Sequence, residues 1–319
     1  MNMAHQNNKP NNDLGLFSGT HSPANSDRNH SKYDNSGKRE NKRPEKSEHK
    51  KGDIGNQVPA NIGWLYYKDY YHGIDFQPRQ SKDIFKEKFE EKNKAITSRR
   101  LSQYAHEVEA SVLNFDTVQS FELTTEYPGL VTGLGSPHES HKDGEYKLGF
   151  YFDHTTGLPV IPGSSVKGVL RSAFKKSREY IKEITGKDIS DIEALEKEIF
   201  DREGVSIYKR DIFLDAVIIS SADNNKKFLA DDFITPHPHA FREPNPIQFL
   251  KVRSQVTFRF QFRLNDGVIK AEEKKKLFER ILTDLGIGAK TNVGYGKFVD
   301  SSQLKAAGGC LAEVKRLRG

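Results

Sequence analysis

The 319-residue chain contains a single cysteine, Cys310, and a single tryptophan, Trp64. One cysteine excludes an intrachain disulfide framework. Long apolar runs are also missing, since no window approaches the roughly 18 continuous apolar residues of a membrane helix, and the mean hydropathy is −0.73. The N-terminus shows no apolar core of the kind a signal peptide needs. These absences predict a soluble, cytoplasmic protein. There is little excess of charge of one sign in the body of the chain either. The formal charge is +6, but residues 1–56 hold 10 Lys+Arg and 7 Asp+Glu, which leaves 40 against 37 for the remainder. Any site for a polyanion must therefore be a local patch.

What is present falls into segments. Residues 1–56 are crowded with Asn, Ser, Lys, Glu and His, and read as a low-complexity polar arm, disordered or ordered by a partner. A Tyr-rich lead-in, "GWLYYKDYYHGIDF", and a peripheral helix from Ser81 to about Val108 make up 57–112. Within 113–300, "TVQSFELTTEY" alternates as a strand, and "YKLGFYF" and "GLPVIP" read as a hairpin around "DHTTG". A helix from Ser164, a polar helix in "DISDIEALEKEIFDRE" and a buried strand in "IFLDAVIISS" follow. A long proline-punctuated segment then leads to the strand "QVTFRFQFRL", a helix ending at Gly286 and a last strand in "GKFV". Stripped of insertions, the order is strand, helix, strand, strand, helix, strand. That order predicts an α+β, ferredoxin-like (RRM-like) fold with an inserted hairpin and helices. Residues 301–319 form a C-terminal tail.

Two stretches carry the candidate chemistry. In "PVIPGSSVKGVLRSAF", Gly163, Ser164 and Ser165 lie at the positive end of a helix. Lys167 and Arg171 follow one turn apart, a combination suited to holding phosphate. In "GIGAKTNVGYGKF", Gly286, Gly288, Gly294 and Gly296 let backbone approach a ligand, while Lys290, Asn292 and Tyr295 can bind phosphate, read a base edge and stack on a base. The loop is not a Walker A motif, and Thr291 stands where a dinucleotide fingerprint needs its third glycine. His237 and His239 near Asp231 and Asp232, and His138, Glu139 and His141, include metal-binding residue types. Neither group has regular ligand spacing, so loop histidines in contact with RNA or a neighbouring subunit are expected instead, with no metal and no cofactor. There is no Gly-x-Ser-x-Gly elbow and no HExxH. His138, His141, Asp143, Asp153 and His154 could in principle supply an acid and a base, but only their closeness in sequence points to it.

Together, "IPGSSVKGVLRSAF", "DDFITPHPHAFREPNPIQFLKV" and "GIGAKTNVGYGKF" resemble motifs of the RAMP superfamily of CRISPR effector proteins over about Val118 to Val299. The middle motif is the most discriminating. It is similar to that of the sixth-RAMP-subunit family of the type III-B Cmr effector. The resemblance implies a ferredoxin-like, non-catalytic subunit of a type III-B CRISPR ribonucleoprotein in antiviral defence. It would stack near the guide 3′ end and help to hold the guide–target duplex. Its implied partners are guide RNA, target RNA, the repeated backbone subunit and the other RAMP subunit at the 3′ end. The alternative is a RAMP endoribonuclease that processes guide precursor. A free-standing nucleotide-binding enzyme is a weaker third reading.

Overall fold

The computed structural model describes residues 60–77, 81–133, 137–201, 204–235 and 246–301. The expectations for the arm 1–56, for residues 302–319 and for His237 and His239 lie outside the described residues. Helix α1 (Ile62–Tyr67) begins at Asn61, whose side chain accepts a hydrogen bond from the Trp64 N–H. Helix α2 (Lys82–Thr97) is followed by a 3₁₀ turn over Leu101–Tyr104 and by α3 (Ala105–Ser111). The single helix expected over Ser81–Val108 is thus broken at Ser98–Arg100. There Arg100 bridges Lys227, and the Leu101 N–H donates to the Lys226 carbonyl at 2.8 Å. Tertiary pairing overrides helix propagation at this point.

The remaining elements are β1 (Gln119–Thr125), β2 (Val160–Ile161), α4 (Gly163–Lys176), α5 (Arg178–Thr185), α6 (Ile189–Phe200), β3 (Ile212–Phe213), β4 (Ala216–Ser221), β5 (Leu229–Ile234), β6 (Ile247–Val252), β7 (Val256–Arg263), α7 (Ala271–Leu285) and β8 (Phe298–Asp300). The main sheet runs β2–β4–β7–β1–β8, entirely antiparallel, with β3 also pairing with β7. Its central order, β4–β7–β1–β8, is the one that two right-handed crossovers through α4 and α7 produce from a strand-helix-strand-strand-helix-strand chain. The α+β expectation therefore holds. Alternation sends Phe121, Phe258, Phe260 and Phe262 to the helix side. Phe121 stacks on Phe260 with ring centroids 5.4 Å apart, and Phe278 of α7 meets Phe262 at 5.5 Å.

Three parts of the sequence reading change. The hairpin expected over 146–162 keeps its turn, because Asp153 accepts from Thr155 and Thr156, but strand pairing is reduced to one bridge, Phe152 with Pro159. The edge strand β2 pairs with β4 instead. The proline-punctuated segment hides a second sheet, in which β5 and β6 pair from Leu229–Val252 to Ile234–Ile247. The Tyr-rich lead-in, for which no element was expected, supplies α1, and Ile62, Tyr66, Tyr70 and Ile74 join one apolar cluster that extends through the sheet to Phe298.

Candidate nucleic-acid interface

Helix α4 buries Val166, Leu170, Ala173 and Phe174 against the sheet at helical spacing. Its outer surface is divided between two flanks. On one, Ser165, Gly168, Val169 and Ser172 form the wall of a groove of about 450 Å³. The facing wall is Ile287, Gly288 and Ala289 of the glycine-rich loop, and Leu130 and Ile161 also line the groove. A second hollow of about 240 Å³ shares Val169, Ser172, Ile287 and Gly288 with the first and continues to Lys176 and Thr291. The fold therefore brings the two candidate motifs, about 120 residues apart in the chain, onto opposite sides of one channel.

The other flank of α4 holds Lys167 and Arg171. The Arg171 guanidinium pairs with Asp201 at 2.5 Å, and the Lys167 ammonium lies 5.9 Å from the centroid of the Phe213 ring. Positions 167 and 171 share a face, as their spacing predicts, but that face is turned from the groove. The helix N-terminus is also partly occupied. The Gly163 N–H donates to Asp215 at 2.7 Å, placing a carboxylate where a phosphate was expected. Gly163 is needed for packing, since a Cβ there would stand 2.2 Å from the Phe213 carbonyl oxygen. Ser164 is exposed at the helix start.

Gly168 was not singled out from the sequence and is the most informative glycine of the site. It lies inside a helix, is exposed, and a Cβ built on it meets nothing within 4 Å. No internal packing calls for a residue that costs about 0.5–1 kcal/mol relative to Ala in a helix.

The glycines of the loop have an internal task. Gly286, Gly288, Gly294 and Gly296 all have positive φ. A Cβ on Gly296 would be 1.9 Å from the Ile287 carbonyl, and one on Gly288 would be 2.7 Å from the Val131 carbonyl. The loop is laced to itself and to the chain after β1: Ile287 N–H donates to Gly296, Ala289 N–H to Val131 and Gly296 N–H to Gly129, at 2.8–3.0 Å. These glycines shape the groove wall. Lys290 adopts φ +63°, and Asn292 is exposed.

Tyr295, expected to stack on a base, is buried. Its ring meets Phe249 edge-on at 5.7 Å, and its hydroxyl donates to Asp232 at 2.6 Å. Burial and the neighbouring carboxylate push the hydroxyl's pKa up. Burial alone would raise Asp232, but hydrogen bonds from Lys251 and Tyr295 outweigh it and hold the carboxyl below its usual range. Asp231 accepts from the Tyr146 hydroxyl. His138 is stacked on Tyr70 with centroids 4.0 Å apart, its Nε2 lies 2.9 Å from the Tyr66 carbonyl oxygen, and burial pushes its pKa down. His141 is exposed. The structure does not gather these histidines and acids at one centre.

The sheet face away from the helices differs from an RRM surface. Glu122 pairs with Arg259 at 2.7 Å, Thr124 bonds Thr257 at 3.0 Å, and Gln261 is tied to the end of α3 through the Ser111 carbonyl. On this face Glu122, Thr124, Thr257, Arg259 and Gln261 are polar and engaged with neighbouring groups. The groove beside α4 is the hollow that both candidate motifs line.

Comparisons with known proteins identify the family of the chain. The family model described as the RAMP superfamily matches residues 122–299, more than half of the chain. The chain is similar to the CRISPR system Cmr subunit Cmr6 of Pyrococcus furiosus, 26% identical over 228 residues, with 54% of this chain and 65% of the relative covered. The match thus spans a little under two thirds of that relative's length. It is also 26% identical over 233 residues to the Cmr6 subunit of Saccharolobus solfataricus, covering 69% of this chain and 72% of the relative. Among solved structures, a chain of the cryo-EM structure of the type III-B Cmr-beta bound to cognate target RNA matches with a TM-score of 0.47 and 24% identity, covering 76% of this chain and 86% of that one. The crystal structure of Cmr6 from Pyrococcus furiosus matches with a TM-score of 0.38 and 24% identity, covering 57% and 97%.

Proposed function

From the premise that this chain belongs to the RAMP superfamily, we propose that it is a guide-RNA-binding, non-catalytic subunit of a type III-B CRISPR effector complex. The reading rests on the similarity to Cmr6 subunits and on one observation, the groove between α4 and the glycine-rich loop. Small side chains line both walls at Ser165, Gly168, Ser172 and Gly288, so a sugar-phosphate strand can approach the α4 backbone closely. The serine hydroxyls offer hydrogen bonds to phosphate or ribose, and Lys176 and Lys290 supply positive charge near the channel. Such contacts carry no base information, which suits a subunit whose guide spacer differs from complex to complex. Within the assembly it stacks near the guide 3′ end, beside the repeated backbone subunit and the other RAMP subunit there, and helps to hold the guide–target duplex.

The non-catalytic reading is supported by the engagement of Asp231, Asp232 and His138 in structural contacts. Asp232 is fixed by Lys251 and Tyr295, Asp231 by Tyr146, and His138 by the tyrosine stack. The test is recovery of the tagged full chain from its host. Co-purification of RNAs with a shared repeat-derived end and varied spacers, together with other RAMP subunits, is the expected result. Recovery without RNA would overturn the proposal, and cleavage of guide precursor by the purified chain would overturn its non-catalytic part.

A further inference from the structure

Beside the glycine-rich loop stands a large exposed side chain. Tyr127, in the turn that follows β1, is 85% exposed, more than any other exposed large apolar or aromatic residue of the described chain. The exposed phenol stands on a fixed base. The Glu126 N–H on one side donates to the Lys297 carbonyl at 2.9 Å, and the Gly129 carbonyl on the other accepts from the Gly296 N–H at 2.8 Å. Pro128 lies 3.5 Å from where a Gly294 Cβ would be, so the Tyr127 turn and the 290–297 loop are in contact.

The surroundings add specific chemistry. Val293 is 59% exposed on the same loop, and Asn292 and Lys297 are exposed as well. Lys290 and Lys297 have no ion-pair partner among the described residues. An anchored aromatic face, an apolar neighbour, an amide and two unpaired cations together fit single-stranded nucleic acid. Bases stack on the ring while the cations follow the backbone.

We propose that Tyr127 is a stacking platform that holds one nucleobase of single-stranded RNA at the rim of the glycine-rich loop. This rests on the RNA-binding reading above and adds to it a contact to a base, which is indifferent to base identity because every base offers a π-face. It also gives the expected stacking role to a different tyrosine, since Tyr295 is buried beneath the same loop.

The test measures binding of a fluorescent oligouridine strand, and of the same strand with abasic sites, to the purified full chain at several salt concentrations. Tyr127→Ala is expected to weaken binding of the base-bearing strand about 5- to 150-fold without changing the slope of log K against log salt. Tyr127→Phe should bind like the unmodified chain. Discrimination between base-bearing and abasic strands should shrink in Tyr127→Ala. Lys290→Gln with Lys297→Gln should lower the salt slope instead. Unchanged affinity in Tyr127→Ala, with Gly168→Leu still weakened, would refute the platform and leave the groove reading intact. Absence of RNA binding by the unmodified chain would refute both. Loss of a co-purifying protein subunit from Tyr127→Ala with RNA affinity unchanged would identify a protein contact and likewise refute the platform.

Discussion

Replacing Gly168 should move stability and RNA binding in opposite directions. The residue lies near the middle of α4 (Gly163–Lys176), and a Cβ placed there touches nothing within 4 Å. Gly168→Ala therefore introduces no clash and removes backbone freedom from the unfolded chain. The gain is about 0.5–1 kcal/mol, which for a body of this size raises Tm by about 1–4 °C. Gly168→Leu keeps good helix propensity but projects a branched side chain into a groove bounded by Ile287 and Gly288 across the way. A strand held off α4 by that bulk loses at least one hydrogen bond to a charged phosphate, about 1.5–3 kcal/mol, or about 10- to 150-fold in affinity. Melting by scanning calorimetry and RNA affinity at one fixed salt concentration, measured on the same preparations, give both numbers. A lower Tm for Gly168→Ala would show an internal role for the glycine, and full RNA affinity for Gly168→Leu would show that the groove is not the RNA channel.

Other substitutions separate structural residues from binding ones. Lys274 is fully buried, with its ammonium 2.8 Å from Asp211 and 2.6 Å from Glu198, so Lys274→Met strands a buried carboxylate. It should cost about 3–5 kcal/mol, read as a fall in denaturant midpoint, with much of the loss recovered when Asp211→Leu is added. Tyr295→Phe removes the hydrogen bond to Asp232 and should cost about 1 kcal/mol of stability, while RNA affinity of the folded protein stays unchanged. His138 titrates below its ordinary value of 6.5 because it is buried. Its folded-state pKa is depressed, so its stabilising contribution is present above about pH 6.5 and is lost as pH falls below that value. A His138→Phe variant should show a flatter stability profile between pH 7 and 5, and an unchanged profile would assign the acid sensitivity elsewhere.

The parts of this molecule legible in the sequence are those fixed by local periodicity. Alternation in 119–125 and 256–263, the apolar residues in 216–221 and 298–300, and helical spacing in 163–176 and 271–285 gave the strand-helix-strand-strand-helix-strand order. The spacing of Lys167 and Arg171 placed them on one face but did not say which, because their surroundings, Asp201 and Phe213, come from 30 or more residues away. The β5–β6 sheet was hidden by an insertion rich in proline and by the acidic pair Asp231–Asp232, which read as a loop. Four glycines in one loop signalled close backbone approach, but the sequence could not show that the approaches of Gly288 and Gly296 are to Val131 and Ile287 rather than to a ligand. Gly168 carried a usable signal, a glycine inside an otherwise regular helix. Tyr127 carried none, since its exposure depends on how its turn is tied to the 290–297 loop.

The central claim is that RNA lies in the channel between α4 and the glycine-rich loop. Ultraviolet cross-linking of guide RNA to the full chain in its native complex, followed by mass spectrometric mapping of the modified peptides, tests it most directly. The account predicts cross-links within 165–176 and 286–297 and at Tyr127. Cross-links confined to the opposite sheet face around Glu122, Thr257 and Arg259 would contradict it.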